Sequence, residues 1–282
     1  MLSRMVGLLA ETFIHPGQGK QQGIIDQPVA RESWTDYPFI PGSAVKGAFK
    51  DKAAGEGMKD EEQNFIFGTT AQAGAIGFSD ARLLLLPIRS LNHHYYWVTC
   101  PYILERFVRD LALIGELDKR NLLFDDLKLS HALIHPQAEL KELVNDYLYL
   151  EEFNYSPIRY PQLEEIITWI KRLVAHNSVQ RRLKNQVVVI SDAEFRHFAR
   201  FGLPIQSRNQ LEANKISKNV WQEENLPPDS LLYTLLIPRY NDPKVQRYYE
   251  ELSSNPYLQI GGNESTGHGW FVLRFWATEG EK

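Results

Sequence analysis

Two side chains that can transfer protons lie in one long segment near the start of the chain. His15 and Asp26 both fall within residues 15–40, which are rich in Gly, Gln and Pro and show neither helical nor strand periodicity. Loops of this length without structure of their own are usually functional or disordered. An imidazole or carboxylate beside a reacting hydroxyl can take its proton, but an isolated His or Asp in a loop is more often only solvated. Arg31, Glu32, Glu223 and Glu224 are further polar candidates.

A glycine-rich segment directly precedes the last predicted strand. Residues 260–269, Ile-Gly-Gly-Asn-Glu-Ser-Thr-Gly-His-Gly, contain four glycines. Such a loop lets backbone N–H groups approach phosphates with no Cβ in the way. It fits neither the dinucleotide nor the Walker pattern, because no helix and no Gly-Lys-Ser/Thr follows. The alternative is a tight turn between two elements.

A second place where an anion could bind is a helix start. The sequence Pro-Gly-Ser at 41–43 predicts a helix to about Ala54, with Ser43 as its N-cap and close packing through Gly47. Lys46 would lie beside the free amides of the first turn, where negative charge is favoured. Most capped helices, however, bind no ligand.

The charge of the chain excludes one broad class of nucleic-acid-binding protein. A net charge of −4 argues against a protein whose whole surface binds phosphates, because that affinity comes from Lys and Arg. Residues 181–220 nevertheless carry eight basic and three acidic side chains, with Arg208, Lys215 and Lys218 among the basic ones. This stretch could face a phosphate backbone, or it could be a solvated face that acids elsewhere neutralise.

Cysteine usage and hydropathy predict a cytoplasmic protein. The single cysteine, Cys100, cannot form an intrachain disulfide, and the first residues lack the pattern of a signal peptide. The longest apolar run, residues 83–88, is far shorter than the roughly 20 residues that cross a bilayer. No membrane role is expected.

The hydrophobic pattern predicts an α+β protein. Residues 5–14 read as a strand, 41–54 as a helix, 76–88 and 94–99 as strands, and a helix begins near 101. This β-α-β-β-α order is the start of a ferredoxin-like fold, an antiparallel sheet with helices on one face. The region that follows is predicted to be mainly helical, at 139–149 and 163–174, and to form an insertion.

The last third of the chain is predicted to alternate between sheet and helix. A short strand at 187–190 precedes a helix that the capping-box spacing Ser191 to Glu194 would start. Residues 205–211 and 216–221 alternate around a polar turn, which indicates a projecting hairpin. A strand at 231–237, a helix at 243–252 and a strand at 270–276 complete the prediction.

Several of these segments together resemble the Cmr backbone subunit of the RAMP superfamily. They are residues 41–47, 78–84, 87–91, 99–106, 223–228 and the glycine segment, and they occur in order from end to end. The resemblance implies a ferredoxin-like (RRM-like) palm, a helical insertion and a hairpin thumb. The palm would comprise residues 1–116, including a catalytic loop at 15–40, and residues 230–282. The helical insertion would comprise residues 117–184, and the thumb region 185–229.

The resemblance also implies an activity. Copies of such a subunit stack as a filament along guide RNA and cut the single-stranded target RNA paired to it, with other Cmr subunits as further partners. The hairpin would splay the guide–target duplex at regular steps. Sequence specificity would come from base pairing, and the protein would recognise backbone and shape.

Roles for individual residues follow from the same resemblance. A His and an Asp of the long loop lie beside the target in this family, and His15 and Asp26 occupy those places, with the Asp required for cleavage. Asp26 would also hold the divalent cation, Mg or Mn, that cutting needs. Further catalytic contributions are implied for Glu223, Glu224 and Tyr233. The expected RNA-binding residues are Ser43, Lys46, Arg208, Lys215, Lys218, Gly261, Gly262, Gly267 and Gly269.

Two other functions stay open on the sequence alone. A metal-independent endonuclease that processes guide RNA, from the same superfamily, also has a ferredoxin-like fold and a C-terminal glycine loop. A scaffold that binds guide RNA without cutting is the other alternative. The long loop and the hairpin favour the backbone subunit over the processing enzyme, and Asp26 argues against the scaffold.

Overall fold

The protein is built of both strands and helices along its length. The computed structural model describes residues 3–17, 19, 23, 25–116, 124, 127–140 and 145–276. The strands are β1 (Arg4–Ala10), β2 (Phe39–Ile40), β3 (Ile76–Phe78), β4 (Ala81–Arg89), β5 (Tyr95–Thr99), β6 (His131–Ile134), β7 (Leu148–Leu150), β8 (Phe153–Arg159), β9 (Val187–Val189), β10 (Ile205–Leu211), β11 (Ser217–Glu224), β12 (Leu231–Pro238), β13 (Tyr257–Gln259) and β14 (Trp270–Phe275). The helices are α1 (Gly42–Gly55), α2 (Asp60–Phe67), α3 (Pro101–Leu113), α4 (Leu163–Lys171), α5 (Asn177–Gln186), α6 (Asp192–Phe201) and α7 (Pro243–Ser254).

One large mixed sheet organises the molecule. Its strand order is β13-β14-β1-β12-β4-β5-β9-β6-β8-β7, with β2 paired to β4 and β3 to β12. All seven residues of β1 are buried, and this strand pairs antiparallel with both β12 and β14. A strand that is covered on both faces has a continuous run of apolar residues in its sequence, and that run is what predicted β1. The hairpin β10–β11 forms a separate two-stranded sheet.

Helix α1 packs on the sheet through one apolar stripe. Val45, Phe49 and Ala53 are buried at four-residue spacing, and the Phe49 ring lies 5.5 Å from that of Phe78. Gly47, expected to mediate close packing, is instead exposed, and a Cβ there would meet nothing within 4 Å. That prediction is wrong because Gly47 lies off the apolar stripe.

Most of the elements that were predicted from a strong local sequence signal are confirmed. Helices α3, α6 and α7, the hairpin and the last strand form within a few residues of their predicted bounds. The predicted N-cap forms as well, since the Ser191 hydroxyl accepts a hydrogen bond from the Glu194 amide at 3.3 Å; the Glu194 carboxylate accepts from that hydroxyl and from the Ser130 amide, so the reciprocal bond of a capping box is not made. These elements share strong local signals: a capping hydroxyl, a proline in the first turn, or a polar turn between alternating runs.

The region 117–184 is less helical than predicted. It contributes α4 and most of α5 but also three strands, and β6 joins the main sheet by pairing antiparallel with β9 and parallel with β8. Of the helix predicted at 139–149, residues 148–149 belong to β7, and 141–144 lie outside the described residues. These strands are only three to seven residues long, so their period is too short to distinguish them from helix.

Two further differences lie in the first half of the chain. Helix α2 was not predicted, although Asp60, Glu61 and Glu62 in its first turn are a favourable charge signal. The strand predicted at 76–88 is broken by Ser79 and Asp80 into β3 and β4, which pair with different stretches of β12. Over the described ranges, no helix is long and apolar enough to cross a membrane.

Candidate functional site

The long loop is attached to the base of the hairpin by backbone hydrogen bonds. Ile14 and Leu226 exchange bonds of 3.0 and 2.8 Å. Further along, the Gln27 amide donates to the Gln222 carbonyl, and the Glu224 amide donates to the Gln27 carbonyl, both at 3.0 Å. Two parts of the loop therefore flank the end of β11, and the candidate loop side chains lie at that hairpin base.

Asp26 is exposed on this loop. Its Oδ2 accepts a hydrogen bond of 2.8 Å from the Gln222 amide. Its second oxygen has no hydrogen-bond partner among the residues that the structure describes. The carboxylate is thus held in place by one oxygen while the other remains accessible to a ligand or a proton.

His15 is buried beside the same strand, with 6% of its surface exposed. Its Nδ1 lies 2.7 Å from the Glu224 carbonyl. A carbonyl can only accept, so Nδ1 donates this hydrogen bond. A Cβ on Gly17 would lie 2.7 Å from Nε2, and the Gly262 amide donates to the His15 carbonyl at 2.9 Å. The imidazole therefore packs between two glycines instead of facing solvent.

His15 and Asp26 are brought together through β11. They bond to the backbone of Glu224 and Gln222, two residues apart, a separation of about 7 Å along a strand. The structure therefore brings the two side chains to the same end of β11, and their shared role in cleavage stays a prediction. Their unequal exposure was not predicted, since it depends on how the glycines cover the imidazole.

Glu224 anchors the loop. It is 3% exposed, and its carboxylate accepts from the Val29 amide at 3.0 Å and from Arg31 at 2.6 Å. Arg31 also donates to the carbonyls of Asp36 and Ala199. Both carboxylate oxygens are occupied, so Glu224 holds the loop to the hairpin base, and the catalytic contribution expected of it stays a prediction.

Glu223 is buried on the opposite face of β11. Its carboxylate accepts from Trp221 Nε1 at 2.6 Å, Arg208 Nε at 3.0 Å and Asn263 Nδ2 at 2.7 Å. Burial alone would raise the pKa of Glu223, but these three donors outweigh it and hold the pKa below its ordinary value. The carboxylate stays ionised and ties the hairpin to the glycine segment.

Sequence reasoning missed His268. Its Nε2 lies 3.1 Å from Arg208 Nη2, and its ring centroid lies 6.0 Å from that of Phe13. Burial and the charge of Arg208 lower the pKa of His268. The only signal in the sequence was its position between Gly267 and Gly269.

The glycine segment does not present a free cradle of amides. The amides of Gly262, Gly267 and Gly269 donate to the carbonyls of His15, Glu264 and Phe13 at 2.9, 3.0 and 2.9 Å. Gly261 has a φ of +110°, and a Cβ there would lie 2.8 Å from the His15 carbonyl oxygen. The close approach that requires glycine is therefore to His15.

The start of α1 also differs from expectation. Ser43 is exposed and caps nothing; the N-cap is Pro41, and the Gly42 amide donates instead to Asp80 Oδ1 at 2.7 Å. A carboxylate therefore already occupies part of this helix terminus. Lys46 is exposed, and no salt bridge of it is found in the described part of the chain.

The other predicted residues lie apart from the loop. Lys215 and Lys218 are at the hairpin turn, where every residue from 211 to 220 is exposed. Tyr233 is 1% exposed within β12, and its hydroxyl donates to Asp110 at 2.7 Å. Burial raises the pKa of Tyr233. Tyr233 thus lies in the core, where Asp110 also pairs with Arg82, and the catalytic contribution expected of it stays a prediction.

The side chains that could bind a metal ion are those of His, Cys, Asp and Glu. No group of three or more His, Cys, Asp or Glu able to hold an ion occurs among the residues with described positions. Asp26 offers one accessible carboxylate oxygen. Mg²⁺ is commonly bound by one or two carboxylates together with waters and substrate phosphates, so a single Asp fits a shared site of that kind.

Comparisons with known proteins agree over nearly the whole chain. The sequence profile of the RAMP superfamily matches residues 8–272. The CRISPR system Cmr endoribonuclease Cmr4 of Pyrococcus furiosus is 33% identical over 285 residues, which is 96% of this chain and 94% of that protein.

Solved structures give the same result for the fold. The crystal structure of oligomeric Cmr4 from Pyrococcus furiosus superposes with a TM-score of 0.78 at 30% identity, covering 98% of both chains. A subunit of the type III-B Cmr-beta complex bound to cognate target RNA also gives a TM-score of 0.78, at 21% identity over 98% of this chain and 97% of that one.

Proposed function

This chain belongs to the RAMP superfamily, and we propose that it is the backbone subunit of a type III-B CRISPR effector that cleaves target RNA paired to guide RNA. The relative from Pyrococcus furiosus is named as a Cmr endoribonuclease, and the match covers nearly all of both chains. An oligomeric crystal structure of such a relative supports self-association along the guide. The proposed partners are guide RNA, target RNA, copies of this chain and other Cmr subunits, assembled in the cytoplasm.

The connectivity supports a ferredoxin-like palm. β1, α1, β4, β12, α7 and β14 follow one another as a β-α-β-β-α-β sequence, although α2, β3 and the insertion interrupt it. The four strands are adjacent in the order β14-β1-β12-β4, and all three pairs are antiparallel. This is the arrangement of a split β-α-β sheet with helices as crossovers.

The observation that carries the proposed mechanism is the accessible carboxylate of Asp26. In RNA cleavage by transesterification the 2′-hydroxyl loses its proton, its oxygen bonds to the adjacent phosphorus, and the bond from phosphorus to the 5′-oxygen breaks. Asp26, held by the Gln222 amide, can orient that hydroxyl or accept its proton. The buried residues His15, Glu223 and Glu224 hold the loop and the hairpin base in position.

A divalent cation fits this arrangement through Asp26. Asp26 would hold the cation, whose positive charge would stabilise the negative charge that develops on the phosphate oxygens. The structural role of the protein is to keep Asp26 exposed and fixed at one oxygen.

Asp26→Asn tests the assignment, because it preserves shape and removes the charge. We expect single-turnover cleavage by complexes built wholly from the variant to fall by at least about 10²-fold, while guide and target binding stay near wild type. Asp36→Asn is the matched control, since Asp36 lies in the same loop and pairs with exposed Arg196.

Three outcomes separate the competing functions. Regularly spaced target cuts that disappear in the Asp26 variant support the proposal. Cutting of guide precursor indicates the processing endonuclease. Guide binding without any cutting by the wild-type complex indicates a scaffold.

A further inference from the structure

Two glycines hold His268 rigidly at the hairpin base. Gly267 and Gly269 have φ values of +84° and +88°, which L side chains rarely adopt. The Gly269 amide donates to the Phe13 carbonyl at 2.9 Å, and Gln259 Nε2 donates to the His268 carbonyl at 2.7 Å. The backbone on both sides of the imidazole is therefore fixed.

The imidazole in turn fixes an arginine. Arg208 donates through Nε to Glu223 at 3.0 Å, and its Nη2 lies 3.1 Å from Nε2 and 3.5 Å from Nδ1 of His268. These similar distances to both ring nitrogens place the guanidinium against the face of the imidazole, where an unprotonated ring accommodates the cation and a protonated ring would repel it. Arg208 Nη1 has no hydrogen-bond partner within the described ranges, and the side chain is 25% exposed. Two of its three nitrogens are held while one remains available.

The arginine lies beside the catalytic loop. Arg208 is directly opposite Trp221 in the hairpin register, and the next residue, Gln222, holds Asp26 through its amide. A guanidinium with a fixed orientation and a free edge is well suited to a phosphate.

We infer that His268 is a positioning residue that orients Arg208, so that the free edge of the guanidinium contacts a target phosphate at the hairpin base. The inference rests on the proposed function, because it requires RNA at this base. It also assigns the glycine segment a task that differs from amide binding of phosphate: the segment presents His268 and Asn263 to the hairpin.

Protonation of the imidazole would undo this arrangement. The charged groups that face His268 are Arg208 and His15, which lower its pKa together with burial, and Glu223, which raises it. The pKa lies below the ordinary value of 6.5, so the neutral imidazole predominates at neutral pH. As the pH falls through this lowered pKa, the imidazole becomes a cation that repels Arg208, and RNA cleavage should weaken.

The test compares His268→Lys with His268→Gln in complexes that contain only the variant subunit, using labelled target RNA at saturating concentration. The lysine adds positive charge, which would favour RNA binding and cleavage if attraction to phosphate were the only effect. We expect the opposite: single-turnover cleavage should fall by about tenfold, the effect of losing one charge-assisted hydrogen bond. The glutamine offers a neutral acceptor, so it should rescue the rate and remove the additional loss seen in wild type on acidification.

Two controls make the result specific. His94→Lys adds the same charge at an exposed histidine in the turn between β4 and β5 and should leave the rate unchanged. His268→Lys should have no further effect in an Arg208→Gln background, because the histidine acts through the arginine. Cleavage by His268→Lys equal to or faster than wild type would overturn the inference and leave the proposed function intact. A wild-type complex that binds no target would overturn both.

Discussion

Asp26, Glu223 and Glu224 are all carboxylates at the base of the hairpin, yet their surroundings differ. Asp26 is exposed and bonded at one oxygen, whereas Glu223 and Glu224 are 2% and 3% exposed and each accept from two or more donors. Removing one member of a buried ion pair leaves an uncompensated charge, so such residues are poorly placed to change protonation during a reaction. We therefore propose that Asp26 carries the chemistry and that the two glutamates position it.

Replacing Glu223 by Gln tests this structural role through the pH dependence of stability. Because the pKa of Glu223 lies below its ordinary value of 4.5, its contribution is fully present above that pH and is lost as the pH falls through the lower folded value. We expect E223Q to be about 2–3 kcal/mol less stable at neutral pH and to lose less stability on acidification.

Denaturant unfolding of the full chain at neutral pH and at about pH 4 measures both effects. E212Q changes an exposed glutamate in the hairpin turn and serves as the control. Equal stability of E223Q and the wild type at neutral pH would contradict the role of Glu223.

At the scale of elements, the hairpin combines a fixed base with a free tip. A lone two-stranded hairpin is marginally stable in water. Here Ile14 and Gln27 extend the pairing beside the end of β11, while residues 211–220 are exposed. Leu211 and Ile216 at the turn are 54% and 63% exposed, so the open tip presents two apolar side chains among its polar ones. The fixed base keeps the loop in register with the hairpin, as the proposed mechanism requires.

At the same scale, the segment that follows α4 packs closely against β1. A Cβ on Gly7, in the central strand β1, would overlap the carbonyl of Leu173, which follows α4. We expect Gly7→Ala to destabilise the chain by about 3 kcal/mol, because the two segments must separate to admit a methyl group.

Gly47→Ala should change stability in the direction opposite to Gly7→Ala. Gly47 lies in α1 with open space around it, so alanine should stabilise the helix by about 0.5–1 kcal/mol. Urea unfolding of both variants under one set of conditions makes the comparison. A Gly7→Ala protein as stable as wild type would show that the insertion does not pack on β1.

At the scale of the whole molecule, a chain with a net charge of −4 must bind RNA through local charge. Lys46 is an exposed cation close to the start of α1, although Asp80 occupies the Gly42 amide there. We expect Lys46→Ala to weaken guide binding irrespective of guide sequence and to reduce the salt dependence of log affinity by about one unit.

Filter binding of guide RNA across a salt series gives both quantities. Lys128→Ala removes an exposed lysine just before β6, in the other half of the main sheet, and should leave the slope unchanged. An unaltered slope in Lys46→Ala would remove this residue from the RNA-binding surface.

The sequence by itself determined the elements with strong local signals. Helix α6 begins at its N-cap Ser191, the hairpin forms around its polar turn, and the apolar run of β1 becomes a buried strand, because each depends on neighbouring residues.

Only the tertiary structure decided which of the polar residues are accessible. The bond of His15 to the Glu224 carbonyl spans 209 residues, and that of Arg208 to His268 spans 60. The strands of the insertion depend on pairing with β9. Contacts between residues this far apart in sequence form only when the sheet, the loop and the glycine segment pack together. A local sequence pattern does not specify that packing.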